Sequence, residues 1–396
     1  MSDPPGPGGP FGFPPGFDPE SLRDAPLFRE LQRVMAASSG PVNWELARQV
    51  GVAGAAEAGP DPEPTDEHHQ AFEQAVRVAE LQVADLAGLE VPGEIARVRA
   101  IRRTTWVSST TESLRPLLEP AAAHMADAMT TAMRAQLPEE AAGFGSLLGQ
   151  IGPLLQGTQI GTVLGSLARE VMGRYDIAVP RQDTAELSFV LANIAAFEHD
   201  WSLDPAELRT YVALHEVTHR AALARPWARA YLTELLADYH STLTLDVEGL
   251  QQRLATLDPS DPEALQRAME GEQALLGPVL DDEQRLKLRR IQAFMGATEG
   301  YADHVTAAVG RRLLGSFPKI AEAMRRYREG EATDPVFERL LGIEIPRAGS
   351  AQGATFCDTV AERSDEATLA RMWESPEALP SSPELGEPTL WLSRTV

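Results

Sequence analysis

Tyr211-Val-Ala-Leu-His215-Glu216-Val-Thr-His219-Arg-Ala-Ala-Leu-Ala224 is the stretch on which the reading of the chain turns. Asp204-Pro205-Ala-Glu207, just before it, is a helix-start signal: an N-cap aspartate, proline at the first helical position, and glutamate placed for a capping box. Pro226 marks the end. A helix turns about 100° per residue, so His215 and His219 fall about 40° apart on one face, with Glu216 about 60° from His219. Two imidazoles one turn apart can share one Zn²⁺, and the carboxylate between them can act as a base without being a ligand. Leu208, Tyr211, Val212, Leu214, Thr218 and Ala222 would equally suit an ordinary buried helix. Two histidines and a glutamate on a core-facing surface are costly, however, unless a metal or hydrogen-bond partners satisfy them.

Composition narrows the classes. The 396 residues carry a formal charge of −23, which argues against a nucleic-acid partner, because phosphate binding needs a basic surface. A single cysteine, Cys357, excludes an internal disulfide framework and a Cys-rich zinc site, so any metal is held by histidines and carboxylates. The first ten residues, Met-Ser-Asp-Pro-Pro-Gly-Pro-Gly-Gly-Pro, show neither a basic nor an apolar signal region, and the cytoplasm is the expected compartment.

Residues 1–20 read as a disordered Pro/Gly-rich tail. Helical patterns follow at Ser21 to Ala37, from Val42-Asn-Trp-Glu-Leu-Ala-Arg, and from Thr65 to Leu86, with a break at Gly59-Pro-Asp-Pro-Glu-Pro. Thr104-Thr-Trp-Val-Ser-Ser-Thr-Thr111 has a strand or loop signal, and helical patterning resumes from Glu112 to Leu137. Ala141 to Ala168 holds no charge over 28 positions, but Gly152-Pro153 interrupts it and no basic flank sets an orientation. Two buried helices are expected there rather than a membrane span, with Gly157, Gly161 and Gly165 as a close-packing face. Leu187 to Phe197 is consistent with a strand, of the kind that could receive an extended substrate by main-chain pairing, or with an ordinary core segment. Trp227 to Leu245 and Glu283 to Leu314 read as helices, Asp258-Pro-Ser-Asp-Pro262 as a turn, and the chain after Tyr327 as short helices between Pro-rich turns. The expected fold is mainly α with a small β contribution near 187–197. Its organisation is one catalytic unit over 21–396: a helical part to about 180, a zinc-site part over about 181–330, and an extension over about 331–396.

A catalytic zinc needs three protein ligands and an open position. Arg220 to Arg225 contains neither His nor Gly, which removes the three-histidine pattern. Glu299 and Asp303 share a helix face at i and i+4, so Glu299 can bind the metal while Asp303 accepts the second ring N–H of a ligand histidine. Glu234 and Asp238 repeat that spacing nearer to the motif and are a rival pair.

Several stretches together resemble the zincin-like hydrolases, a bacterial family of zinc-dependent metallopeptidase type. They are Pro41-Val-Asn-Trp-Glu-Leu-Ala, Asn193-Ile-Ala-Ala-Phe-Glu-His-Asp-Trp201, Ala213-Leu-His-Glu-Val-Thr-His219, Pro226-Trp227, Glu299-Gly-Tyr-Ala-Asp-His-Val305 and Trp373-Glu-Ser-Pro. Glu299-x-x-x-Asp303 also resembles the glutamate helix of gluzincins, although the 80 positions from His219 to Glu299 exceed the usual gluzincin gap. The resemblance implies a zincin-like fold, a Zn²⁺ cofactor held by His215, His219 and Glu299, Glu216 as general base, Asp303 behind the ligands, and a peptide or protein substrate. Tyr239, His240, Tyr301 and His304 are open candidates for stabilising the oxyanion. The other classes compatible with the residues are a zinc-dependent amide or ester hydrolase that is not a peptidase, and a helical interaction protein retaining a zinc site.

Overall fold

Asn43 caps the first helix among the described residues, its Oδ1 accepting from Leu46 N at 2.9 Å. The computed structural model describes residues 40–87, 89, 97–136, 142–177, 179–181, 183–241, 281–329 and 348–395. The tail over 1–20, the helix expected from Ser21 and the turn at Asp258 lie outside the described residues. Helix α1 (Trp44–Ala56) and α2 (Asp66–Ala87) precede strand β1 (Arg97–Ile101), which is followed by α3 (Arg103–Gln136) and α4 (Ala142–Leu167).

Two expectations fail in this region. Thr104 to Thr111 is the first part of α3, not a strand or loop. The β-branched run is overridden by a cap from 42 residues upstream: Asp61 accepts from Arg103 N at 2.9 Å and from Thr104 N at 3.2 Å. Within the helix, Ser108 and Thr111 turn their hydroxyls back to the carbonyls of Thr104 and Val107. The uncharged run is one helix rather than two, passing through Pro153, and over 152–167 only one of its faces is buried. Leu155 is exposed, and no helix among the described residues is long and apolar enough to cross a membrane.

The glycine face of α4 does pack closely, against α1. A Cβ at Gly157 would lie 2.5 Å from the Asn43 carbonyl oxygen, and one at Gly161 2.5 Å from that of Ala47. The two backbones touch, so only glycine fits. Gly161→Ala is expected to lower unfolding stability by about 1–3 kcal/mol, the usual cost of overpacking. A denaturant titration that finds the variant as stable as wild type would overturn this account of the α1–α4 contact.

Strand β2 (Glu186–Val190) pairs parallel with β1, Arg97 opposite Glu186 and Ile101 opposite Val190. The strand expected through Phe197 stops at Val190, and Leu191–Trp201 forms α5. Asn193 fixes the switch: its amide donates to the Ala168 and Val171 carbonyls, and its oxygen accepts from Arg103 Nε at 2.5 Å. The far side of β2 is no open edge, because Val190 N donates to Met172 O at 2.8 Å and Gly173 bridges Phe189.

The motif helix α6 spans Pro205–Leu223, and every residue from Tyr211 to Leu223 is buried. Asp204 caps it, accepting from Ala206 N and Glu207 N at 2.9 Å each. Glu207 does not complete the expected capping box; its carboxylate instead accepts from Gly315 N at 3.0 Å and Ser316 N at 2.7 Å. That ties α6 to the turn between α8 (Asp282–Leu313) and α9 (Phe317–Glu329), the helices that follow α7 (Ala228–Ser241). Helices α2 and α8 flank α6.

Helix α10 (Ala348–Arg363) crosses the back of α8 through Gly300 and Gly353, where an added Cβ at Gly300 would lie 2.1 Å from the Gly353 carbonyl carbon. Helix α11 (Glu366–Ala370) is followed by two single 3-10 turns and the helices Ser382–Gly386 and Pro388–Thr395, and Trp373 stacks on Trp227 at 6.4 Å between ring centroids. One apolar cluster includes both Val42 and Trp391.

His304 on α8 is clasped by two carboxylates: Nδ1 lies 2.6 Å from Asp358 on α10, and Nε2 3.1 Å from Glu366 on α11. Burial opposes its protonation, but Glu366 and Asp358 outweigh burial and raise its pKa above the ordinary 6.5. A raised histidine pKa contributes stability that is fully present below the unfolded value and is lost as pH rises through the folded one. Thermal unfolding should therefore show wild type losing stability relative to His304→Gln as pH climbs from 6.5; parallel pH profiles would sink the clasp's role.

Candidate metal centre

Helix periodicity puts His215 and His219 on the face of α6 that meets α8, and their ring centroids lie 4.6 Å apart. Helix α8 supplies Glu299 to the same point. Its Oε2 is 3.1 Å from His219 Nε2, and its Oε1 is 3.5 Å from His215 Nε2. Ligand-capable atoms of the three residues all lie within 4.8 Å of one another. The crossing of α10 meets α8 at Gly300, the residue after Glu299.

His219 is fully buried, yet neither of its ring nitrogens makes a hydrogen bond; the Glu299 oxygen at 3.1 Å is close but outside hydrogen-bond geometry. A buried polar group left so costs about 1–3 kcal/mol. A metal ion satisfies it, and two imidazoles with one carboxylate are a zinc donor set that leaves an open position. The residues fit the metal. Burial works against ionising Glu299, but His215 and His219 outweigh it and hold its carboxyl well below the usual range. Burial, and then the neighbouring His215, lower the pKa of His219.

Glu216 stands beside this group and outside it. Its carboxylate is fully buried and accepts from Arg174 N at 2.9 Å and Tyr175 N at 3.0 Å. The turn that grips it is closed by Asp176, which accepts from Met172 N and Gly173 N. Burial pushes the Glu216 pKa up to about 8, Asp176 adds to the rise, and His215 and the Tyr175 amide oppose it. Gly173 is required for this approach, since a Cβ there would meet Glu216 Oε1 at 2.2 Å.

Asp303 differs from expectation. It is 3.7 Å from His215 Nε2, on the side of the ring facing Glu299 rather than at the second nitrogen. Its carboxylate accepts instead from Arg328 Nη1, at 2.7 and 2.8 Å. Arg328, at the end of α9, escaped the sequence reading because no spacing links it to the motif 113 positions earlier; its Nη2 lies 3.1 Å from His215 Nε2. The Met172 to Asp176 turn escaped for the same reason. The rival pair is elsewhere: Glu234 and Asp238 are exposed on α7, and Asp238 pairs with Lys287 at 3.0 Å. The four residues considered for the oxyanion have other partners. His304 is clasped as described, Tyr301 packs edge-on to Trp373, His240 Nδ1 meets the Leu236 carbonyl, and Tyr239 packs edge-on to His240.

A mainly α fold in which a His-Glu-x-x-His helix receives a carboxylate from a second helix defines a hydrolase of the zincin class. The sequence model for zincin-like metallopeptidases matches residues 42–392, and the chain belongs to that family. Among solved structures it is similar to an inferred hydrolase with a novel fold from Chloroflexus aurantiacus, at 28% identity and a TM-score of 0.63. That likeness covers 89% of this chain and 98% of the other. A search of curated proteins finds no match.

The clash at Gly173 is directly testable. Gly173→Ala is expected to destabilise by about 1–3 kcal/mol. Combining it with Glu216→Ala should recover part of the loss, because the two groups compete for one space. Strict additivity in the double-mutant cycle would show that Gly173 is not shaped around Glu216.

Proposed function

We propose that the protein is a zinc-dependent peptidase in which His215, His219 and Glu299 hold the metal and Glu216 is the general base. The observation that carries this is the convergence of the three donors around a fully buried His219 whose nitrogens have no hydrogen-bond partner. Zinc held there supplies Lewis acidity, polarising the scissile carbonyl and lowering the pKa of water toward neutrality. Glu216 takes the proton from the attacking water and returns it to the leaving amine. The amides of Arg174 and Tyr175 aim this carboxylate and favour its anion.

Asp303 supports the site through Arg328. Peptide binding by strand addition to β2 is not part of this reading, because Met172 and Gly173 already occupy its far side. Residues 21–396 act as one catalytic unit, a reading supported by the contact of Trp373 from the C-terminal segment with Trp227 just after the motif helix.

Glu216→Gln should keep zinc while losing about 10²- to 10⁴-fold in hydrolysis of a peptide library. Loss of the metal, or full activity, would remove Glu216 from the role of base. Chelator competition should rank Glu299→Ala as most damaging to zinc affinity. Asp303→Ala should cost less than Glu299→Ala, because Asp303 acts on the site through Arg328, and Asp238→Ala should match wild type. Hydrolysis of small amides or esters without any peptide cleavage would instead favour the non-peptidase class.

A further inference from the structure

We propose that Arg181 and Trp106 are positioning residues for Glu216, acting on its carboxylate through two successive peptide groups; the inference rests on the reading of Glu216 as general base. Two backbone amides hold that carboxylate, Arg174 N at 2.9 Å from Oε2 and Tyr175 N at 3.0 Å from both oxygens. Each amide is one end of a planar peptide group whose other end is a carbonyl. The Arg174 amide shares its peptide with the Gly173 carbonyl, which accepts from Trp106 Nε1 at 3.1 Å. The Tyr175 amide shares its peptide with the Arg174 carbonyl, which accepts from Arg181 Nη2. Both peptides that grip Glu216 are therefore gripped from behind by a buried side-chain donor, Trp106 being 1% and Arg181 4% exposed.

A planar peptide pinned at its carbonyl cannot tilt its N–H without breaking the bond behind it. Hydrogen bonds in series also polarise one another, so a donor at the carbonyl strengthens the bond that the amide makes. The effect is larger for Arg181, which brings a cation to one end of a peptide whose other end faces a carboxylate. Within that guanidinium, Nη2 has the Arg174 carbonyl while the buried Nε makes no hydrogen bond. The side chain of Arg174 is engaged elsewhere: its Nη2 donates to Asp183 O at 2.9 Å and its Nη1 lies 3.5 Å from Glu186 Oε1. Trp106 lies on α3 and Arg181 precedes β2, so a base carried by α6 is aimed from two other segments.

The test compares full-length, zinc-loaded wild type with Arg181→Met, Arg181→Lys and Trp106→Phe, which deletes the indole N–H. Three quantities are read: the amide proton shifts of Arg174 and Tyr175 by NMR, zinc affinity by chelator competition, and kcat and KM on a fluorogenic peptide. Arg181→Met should move the Tyr175 amide upfield more than that of Arg174, and Trp106→Phe the reverse, as each bond to Glu216 weakens. In both, kcat should fall by up to about 10²-fold, the cost of misplacing a reacting group by about 1 Å, with KM and zinc affinity within about threefold of wild type. Arg181→Lys should restore most of the shift and most of kcat. In a Glu216→Gln background, neither substitution should lower the residual rate further. A merely structural brace would lower the unfolding midpoint and leave both amides and kcat of the folded protein unmoved, and that result overturns the proposal. If Arg181→Met does not fold, Arg181→Lys and Trp106→Phe decide on the same readouts. If wild type cleaves no peptide, or Glu216→Gln cleaves as well as wild type, the reading of Glu216 as base fails, and the amide shifts alone decide whether Arg181 and Trp106 hold its carboxylate.

Discussion

The approach of one carboxylate, Glu299, to both imidazoles of the motif helix is the contact on which the architecture depends. It places charge in a buried seam between α6 and α8, where every ionisable group must have a counterpart. Glu299 answers the two histidines, Arg328 answers Glu299 and Asp303, and the backbone amides of Arg174 and Tyr175 answer Glu216. Each counterpart comes from a different segment, so the site exists only when α6, α8, α9 and the Met172 to Asp176 turn are assembled together.

Contacts far from the chemistry set that assembly. The glycine crossing between α8 and α10 brings the helix carrying Glu299 to backbone distance from its rear neighbour, which fixes its depth. Glu207 links the first turn of α6 to the start of α9, so the helix bearing the histidines also locates the one bearing Arg328. Asn193 and Arg103 join α5, α3 and the end of α4 just before the turn that grips Glu216. The stretches that resemble the family outside the zinc motif thus have structural work: Asn43 caps α1, Asn193 closes a junction, and Trp227 stacks on Trp373.

By itself, the sequence determined the features whose physics is local. Proline and aspartate at 204–205 start the motif helix, four-residue spacing puts His215 and His219 on one face, and the same spacing joins Glu299 to Asp303. The predominance of helix and the close-packing glycines of 157–165 were legible on the same grounds. Where it misled, a distant group had intervened. Thr104 to Thr111 is helical because Asp61 caps it from 42 residues away, and Pro153 does not break α4, which packs its glycine face on α1. Glu207 left its capping box because amides 108 and 109 positions on compete for it.

Spacing alone left Glu299 and the Glu234/Asp238 pair as rivals; the family resemblance favoured Glu299, and the folded chain brings Glu299, not Glu234 or Asp238, beside the histidines. It also brought in Arg328 and the Arg174 and Tyr175 amides, which carry no pattern in the chain. A spacing rule reaches about one helical turn. A buried charge recruits its partner by proximity in space, and with 113 positions between His215 and Arg328 only the folded packing of α6 against α8 and α9 specifies that proximity.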